Sequence, residues 1–233
     1  MVFIHGGGVA SWMWDEQIAS FGAQHATYAP DLPGHGARFS EQFVSIRATA
    51  EELAEALQAR PEHDRTVIGF SLGGQIALEL AAHYPDLVTR LVVVSALANG
   101  YPLARAAETL VRAAAPLARM PWFAQRQAAS LGIPPMKLDA YLRDSKRLAT
   151  PTLAAVTRAN ARFRLPASWD DYEGASLFLA GRNEPRMVRR GLASLAERSS
   201  RGEYRLHATA GHEIPFQHGA WLAEQVAGHV HRG

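Results

Sequence analysis

Ser71 lies in Gly69-Phe70-Ser71-Leu72-Gly73-Gly74, between an apolar run, Thr66-Val67-Ile68, and a periodic segment from Leu72 to Tyr84. The pattern predicts a strand, a sharp turn and a helix, with the serine at the apex. A side chain stands clear on such a turn only if nothing bulky crowds it, which accounts for glycine two residues before and two after. The following N–H, that of Leu72, is then placed to help hold an oxyanion. A plain Gly-rich strand-to-helix turn is the structural alternative. The chemistry to which the residue types point is acyl transfer through a covalent serine intermediate.

Such chemistry needs a base, a group to orient it, and donors for the oxyanion. The base candidate is His212, in Ala210-Gly211-His212-Glu213-Ile214-Pro215, on a loop between the last predicted strand and the last helix. Among the other nine histidines, whose claims are weaker, His25, His63 and His83 fall in or near surface helices, His207 falls within a strand, and His229 and His231 form a tail pair whose spacing suits a metal but reads as solvated. The orienting acid is Glu184, in Gly181-Arg182-Asn183-Glu184-Pro185, directly after an apolar strand; a helix N-cap is its structural alternative. Asp170 and Asp171 are the fallback, although they precede that strand. Ser95 to Gly100 contains no acid. Oxyanion donors are expected from Leu72 and from His5-Gly6-Gly7-Gly8, with Gly7 first and Gly8 second.

The elements that must carry these residues alternate. Strands are expected at Val2–His5, Thr27–Ala29, Thr66–Phe70, Leu91–Val94, Leu177–Ala180 and Glu203–Thr209. Helices are expected at Asp15–Phe21, Ile46–Arg60, Leu72–Tyr84, Pro185–Arg198 and Pro215–Val230. Ile46, Ala50, Leu53 and Leu57 form the core stripe of the second helix, capped by Ser45 or by a Thr49–Glu52 box. Strands that are apolar throughout and alternate with helices imply an α/β fold: a mostly parallel sheet with helices on both faces. Glu203–Thr209 alternates strictly and reads as a half-exposed edge. Between Tyr101 and Leu165 there is no strand-like run, only three or four helices punctuated by Pro116, Pro121, Pro134-Pro135 and Pro151. The expected organisation is a core of 1–100 and 166–233 with a helical cap, 101–165, inserted into it.

Composition narrows the function classes. The chain has 233 residues, a formal net charge of +2 and no cysteine. The charge is too small and too scattered to suggest nucleic acid. Without cysteine there is no disulfide, thiol nucleophile or thiolate metal site, which suits a cytoplasmic setting. No apolar run approaches a membrane span, and Met1-Val2-Phe3-Ile4 reads as a strand, not a signal peptide. No HExxH, phosphate-loop or dinucleotide motif is complete, so neither a metal nor a cofactor is expected.

Taken together, the motifs resemble the α/β-hydrolase superfamily over nearly the whole length: His5-Gly6-Gly7-Gly8 with Trp14 six residues on, Asp31-Leu32-Pro33-Gly34-His35-Gly36, GFSLGG at 69–74, Gly181-x-x-Glu184 and Ala210-Gly211-His212. Within it the chain is similar to small capped esterases, lactonases and cofactor-free haloperoxidase-like enzymes. The resemblance implies a structural turn beneath the site at Asp31–Gly36, and a triad in the chain order Ser71, Glu184, His212. The family more often has aspartate where Glu184 stands. Epoxide hydrolases and dehalogenases share the HG and Trp features but carry aspartate at the turn occupied here by Ser71.

The expected function is hydrolysis of a small carboxylic ester or lactone through an acyl-enzyme on Ser71. C–C hydrolase, lyase, cofactor-free haloperoxidase or acyltransferase chemistry on the same fold, or a non-catalytic binding module, are the alternatives. In the cap, Trp122, Phe123, Met136, Leu138, Tyr141, Leu142 and Phe163 are candidates to line an apolar acyl pocket. The family normally has two strands before the one ending in HGGG. Their absence from this sequence would leave Thr27–Ala29 as an open edge, coverable by a second subunit in a homodimer.

Overall fold

The computed structural model describes residues 1–100, 109 and 120–232. Five parallel strands, β1 (Val2–Ile4), β2 (Thr66–Phe70), β3 (Arg90–Val94), β4 (Ala175–Gly181) and β5 (Gly202–His207), form one sheet in the order β1-β2-β3-β4-β5. Register aligns Phe3 with Ile68, Ile68 with Val92, and Val92 with Leu177. Because strand side chains alternate faces, this row packs into one core with Trp14, Phe21, Leu222 and Val226. The intervening row, including Ile4, Val67, Val93 and Phe178, packs into a second core with Leu53, Ile76, Leu80 and Leu192. Both faces are covered, which is why β1 to β4 read as continuous apolar runs. β5 is half-buried along its whole length, in keeping with its alternating sequence and its edge position.

The covering helices are α1 (Asp15–Phe21), α2 (Ile46–Gln58), α3 (Leu72–His83), α7 (Arg186–Arg198), α8 (Ile214–Gln217) and α9 (Gly219–Val230). α2 buries the stripe Ile46, Ala50, Leu53 and Leu57. Its cap is Ser45, whose Oγ accepts from the Ala48 N–H at 3.0 Å. Thr49 is already inside the first turn and donates its hydroxyl back to the Ser45 carbonyl at 2.9 Å, so it caps nothing. The last helix is two, divided at His218, where φ −127° and ψ 36° interrupt the helical path. Thr27–Ala29 is reduced to one bridging residue. Tyr28 pairs with Val2, accepting from the Phe3 N–H at 2.8 Å and donating to the Met1 carbonyl at 2.9 Å.

Between β3 and β4 run α4 (Pro121–Ser130), α5 (Pro135–Arg147) and α6 (Thr150–Arg162). Each has proline in its first turn, where the missing N–H has no intrahelical partner to lose. The prolines thus begin these helices. Pro116 and any helix near it lie outside the described residues. The two stems of this segment run side by side: Gly100 N–H donates to the Phe163 carbonyl at 2.6 Å, and Asn99 bridges Arg164. Gln75 on α3 ties both stems to the core, its Nε2 donating to the Leu97 carbonyl at 3.1 Å and the Asn160 carbonyl at 3.3 Å. Among the described residues no helix is long and apolar enough to cross a membrane.

Candidate active site

β2 ends directly in Ser71, which has φ 53° and ψ −114°. A non-glycine residue pays for this conformation with strain of about 1–3 kcal/mol, and it turns the chain sharply from β2 into α3. The neighbouring glycines permit the turn. A Cβ on Gly69 would fall 2.2 Å from the Gly73 carbonyl oxygen, and one on Gly73 would fall 2.2 Å from that of Ile4. The Ser71 N–H is tied to the Val94 carbonyl at 2.9 Å, and its own carbonyl accepts from Gly74 at 3.0 Å and Gln75 at 3.2 Å.

The sheet is parallel, so β1, β2, β4 and β5 deliver their following loops to one edge. Glu184 follows β4 and His212 follows β5. His212 Nε2 lies 3.2 Å from Ser71 Oγ, and His212 Nδ1 lies 3.3 Å from Glu184 Oε1. A carboxylate only accepts, so Nδ1 carries the proton and Nε2 is left to accept from the serine hydroxyl. The Glu184 side chain is fully buried, and its Oε2 has no hydrogen-bond partner among the described residues. The acid and base loops hold each other. Asn183 donates its N–H to the Ala210 carbonyl at 2.9 Å and its Nδ2 to the Thr209 carbonyl at 2.8 Å.

Leu72 opens α3, so its N–H has no acceptor within the helix. Gly7 lies against it: a Cβ on Gly7 would sit 3.7 Å from Leu72 Cδ2 and 2.9 Å from Val156 Cγ1 of α6. Gly8, at φ 79°, completes the bend. Beneath this loop His5 is fully buried. Its Nδ1 donates to the Gly6 carbonyl at 2.7 Å and its Nε2 accepts from the Leu32 N–H at 2.9 Å. Burial, and then the neighbouring His35, push its pKa down to about 3, so the ring stays neutral. Asp31 accepts from the N–H groups of Ser11 at 2.8 Å and Ala37 at 2.7 Å, holding the 31–36 turn under the site.

Of the residues expected to line an acyl pocket, the structure brings one, Tyr141, to a cavity beside Gly7 and Gly8. Met136 is 79% and Trp122 58% exposed, because they occupy the outward faces of α5 and α4. Phe123 stacks edge-on against Trp122, and Phe163 is buried in the core over α3. Leu138 and Leu142 pack into the opposite core. Asp170 pairs with Arg198 at 2.6 Å, before β4 and away from the loop edge, so the fallback acid is not drawn to His212. His229 is buried, with Nε2 3.3 Å from the Ala175 carbonyl. No group of three or more potential metal ligands occurs among the described residues.

Three site neighbours are not legible as such in the sequence. Phe70 places its ring 4.8 Å from that of His212, yet reads as one more apolar strand residue. Val156 over Gly7 is one of several helix residues facing inward. Trp12 Nε1 donates to Asp144 Oδ2 at 2.8 Å, joining the loop after β1 to α5 across 132 residues.

Comparison with known proteins places this geometry in context. A family model described as the alpha/beta hydrolase family matches residues 1–225. The chain is 36% identical over 95 residues to a pimeloyl-(acyl-carrier protein) methyl ester esterase of Nitrosomonas europaea, covering 41% of this chain and 36% of that protein. It is 41% identical over 96 residues to an esterase of Mycobacterium tuberculosis, covering 40% and 32% respectively. The matched stretch is thus about a third of each esterase's own length. The enol-lactonase of Burkholderia xenovorans LB400 superposes with a TM-score of 0.75 at 18% identity, covering 98% of this chain and 90% of that one, a likeness of fold.

Proposed function

We propose, from the premise that this chain belongs to the alpha/beta hydrolase family, that it is a serine hydrolase of small carboxylic esters or lactones. The observation that carries the reading is the chain of contacts from Ser71 Oγ to His212 Nε2, 3.2 Å, and from His212 Nδ1 to Glu184 Oε1, 3.3 Å. Ser71 Oγ attacks the substrate carbonyl as His212 Nε2 takes its proton. Glu184, buried and accepting from Nδ1, fixes the tautomer and stabilises the imidazolium that forms. The N–H groups of Leu72 and Gly7 hold the negative oxygen. His212 returns the proton to the leaving alcohol. A water, deprotonated by His212, then attacks the acyl-enzyme and releases the acid and Ser71.

The esterase names of two relatives favour ester hydrolysis over the other reactions that this fold hosts. A fluorophosphonate probe tests for an activated serine without knowledge of the substrate. Labelling is expected at Ser71 and lost in Ser71→Ala. Labelling that survives in Ser71→Ala, or none in the parent chain, rejects the assignment.

A further inference from the structure

The cavity beside Gly7 and Gly8 measures about 140 Å³. Its other walls are Leu131, just past α4, Leu148 and Leu153 at the corner between α5 and α6, and Tyr141 and Ser145 on α5. Tyr141 and Ser145 are four apart on one helix and therefore share a face, and both line the void. Both are buried, while the three leucines are half-buried around the void. Gln127 and Thr150 complete the lining, and no lining residue among those described carries a formal charge.

The position of this cavity bears on the reaction. Gly7 lies close to Leu72, the residue after Ser71: a Cβ on it would be 3.7 Å from Leu72 Cδ2. Gly7 and Gly8 form one wall of the void, so a carbonyl oxygen held by the Gly7 and Leu72 N–H groups would have this space beside its acyl group. A cavity of about 150 Å³ holds a molecule of benzene's size, so the space suits about six non-hydrogen atoms. An ionised group placed there would meet no charged residue among the described lining residues.

We infer that this cavity is the acyl pocket, admitting a short uncharged acyl group and excluding long-chain and carboxylate-ended ones, with Leu148 and Leu153 setting the length limit. The inference rests on the serine-hydrolase reading and deepens it.

Two measurements keep the two ideas separable. The first compares kcat/KM for 4-nitrophenyl acetate, butyrate, hexanoate, octanoate and hemisuccinate. Butyrate or hexanoate is expected to be best, with octanoate and hemisuccinate lower by about tenfold or more. Leu153→Trp should lower the butyrate-to-acetate ratio by about tenfold, and Leu148→Ala should raise the octanoate-to-butyrate ratio. The second measurement needs no chemistry: saturation-transfer NMR of butanamide with the Ser71→Ala protein. Transfer is expected, and is expected to disappear in Ser71→Ala/Leu153→Trp, checked for folding by its melting curve. Ester turnover with octanoate as good as butyrate, or unmoved by either leucine substitution, overturns the pocket and leaves the serine chemistry standing. Butanamide transfer that persists in the folded double variant, or is absent in Ser71→Ala, also overturns it. No ester turnover, with butanamide binding that depends on Leu153, rejects the serine reading and retains the pocket.

Discussion

Ser71 holds a backbone conformation, φ 53° and ψ −114°, that side-chain-bearing residues rarely adopt. Removing the Cβ should relieve strain that alanine keeps. Ser71→Gly is therefore expected to be more stable than Ser71→Ala by about 1 kcal/mol, measured by urea unfolding; equal midpoints would mean that the turn is unstrained. Glu184 tests the orienting role. Glu184→Gln keeps the shape but offers an amide in place of an acceptor-only carboxylate. Turnover should fall by about 10⁴, as when the orienting carboxylate of a serine protease is made an amide, while the fold persists. Near-parental turnover would return Glu184 to a structural role beside α7. Glu184→Asp should retain part of the activity, its shorter arm lengthening an already long 3.3 Å contact.

At the scale of elements, the three helices between β3 and β4 depend on their stems. Gln75 is buried in α3, and its amide serves both stems at once, at Leu97 and Asn160. Gln75→Leu removes a donor from both carbonyls; that of Asn160 keeps the Phe163 N–H at 3.4 Å, so the cost, about 1–3 kcal/mol, falls on that of Leu97. Because α6 also sets Val156 over Gly7, the same variant should disturb selectivity between esters more than labelling of Ser71 by a small probe. Parental stability together with parental selectivity would show that the stems are held by Gly100–Phe163 and the Asn99–Arg164 bridge alone.

For the molecule as a whole, the loops under the site make stability depend on pH. His5 is buried and has its folded pKa depressed to about 3 by desolvation and by His35, itself depressed by burial. The unfolded chain takes up a proton on each ring near the ordinary value of about 6.5. Between there and about 3 the unfolded state therefore binds more protons. Stability is present at neutral pH and is lost as pH falls through that window. Asp31 adds loss in the same direction at lower pH, for although burial raises its pKa, the N–H groups of Ala37 and Ser11 outweigh that and hold it down. Urea midpoints should drop between pH 7 and pH 4.5, and His5→Asn, weaker at neutral pH, should show a shallower drop; parallel slopes would remove His5 as the cause. The outer side of Tyr28 is a separate matter. If a second subunit covers that edge, sedimentation should show concentration-dependent dimers; a monomer throughout rejects this arrangement.

The sequence by itself determined the order of elements, the two-faced burial of β1 to β4, and the positions of Ser71, Glu184 and His212 on loops after strands. These are local matters: glycines stand on either side of Ser71, where a Cβ would strike backbone, and apolar runs end in polar loops. A parallel sheet then sends all those loops to one edge, so residues 141 positions apart meet. What only the tertiary structure decided is which residue faces which. Leu138 and Leu142 turned into a core, Trp122 and Met136 outward, and Tyr141 toward the cavity, because the rotation of a helix about its axis is set by its neighbours. The split at His218, the single bridge at Tyr28, the Trp12–Asp144 bond and the Phe70 ring beside His212 share that origin. Each depends on partners distant in sequence, and no local pattern encodes a partner.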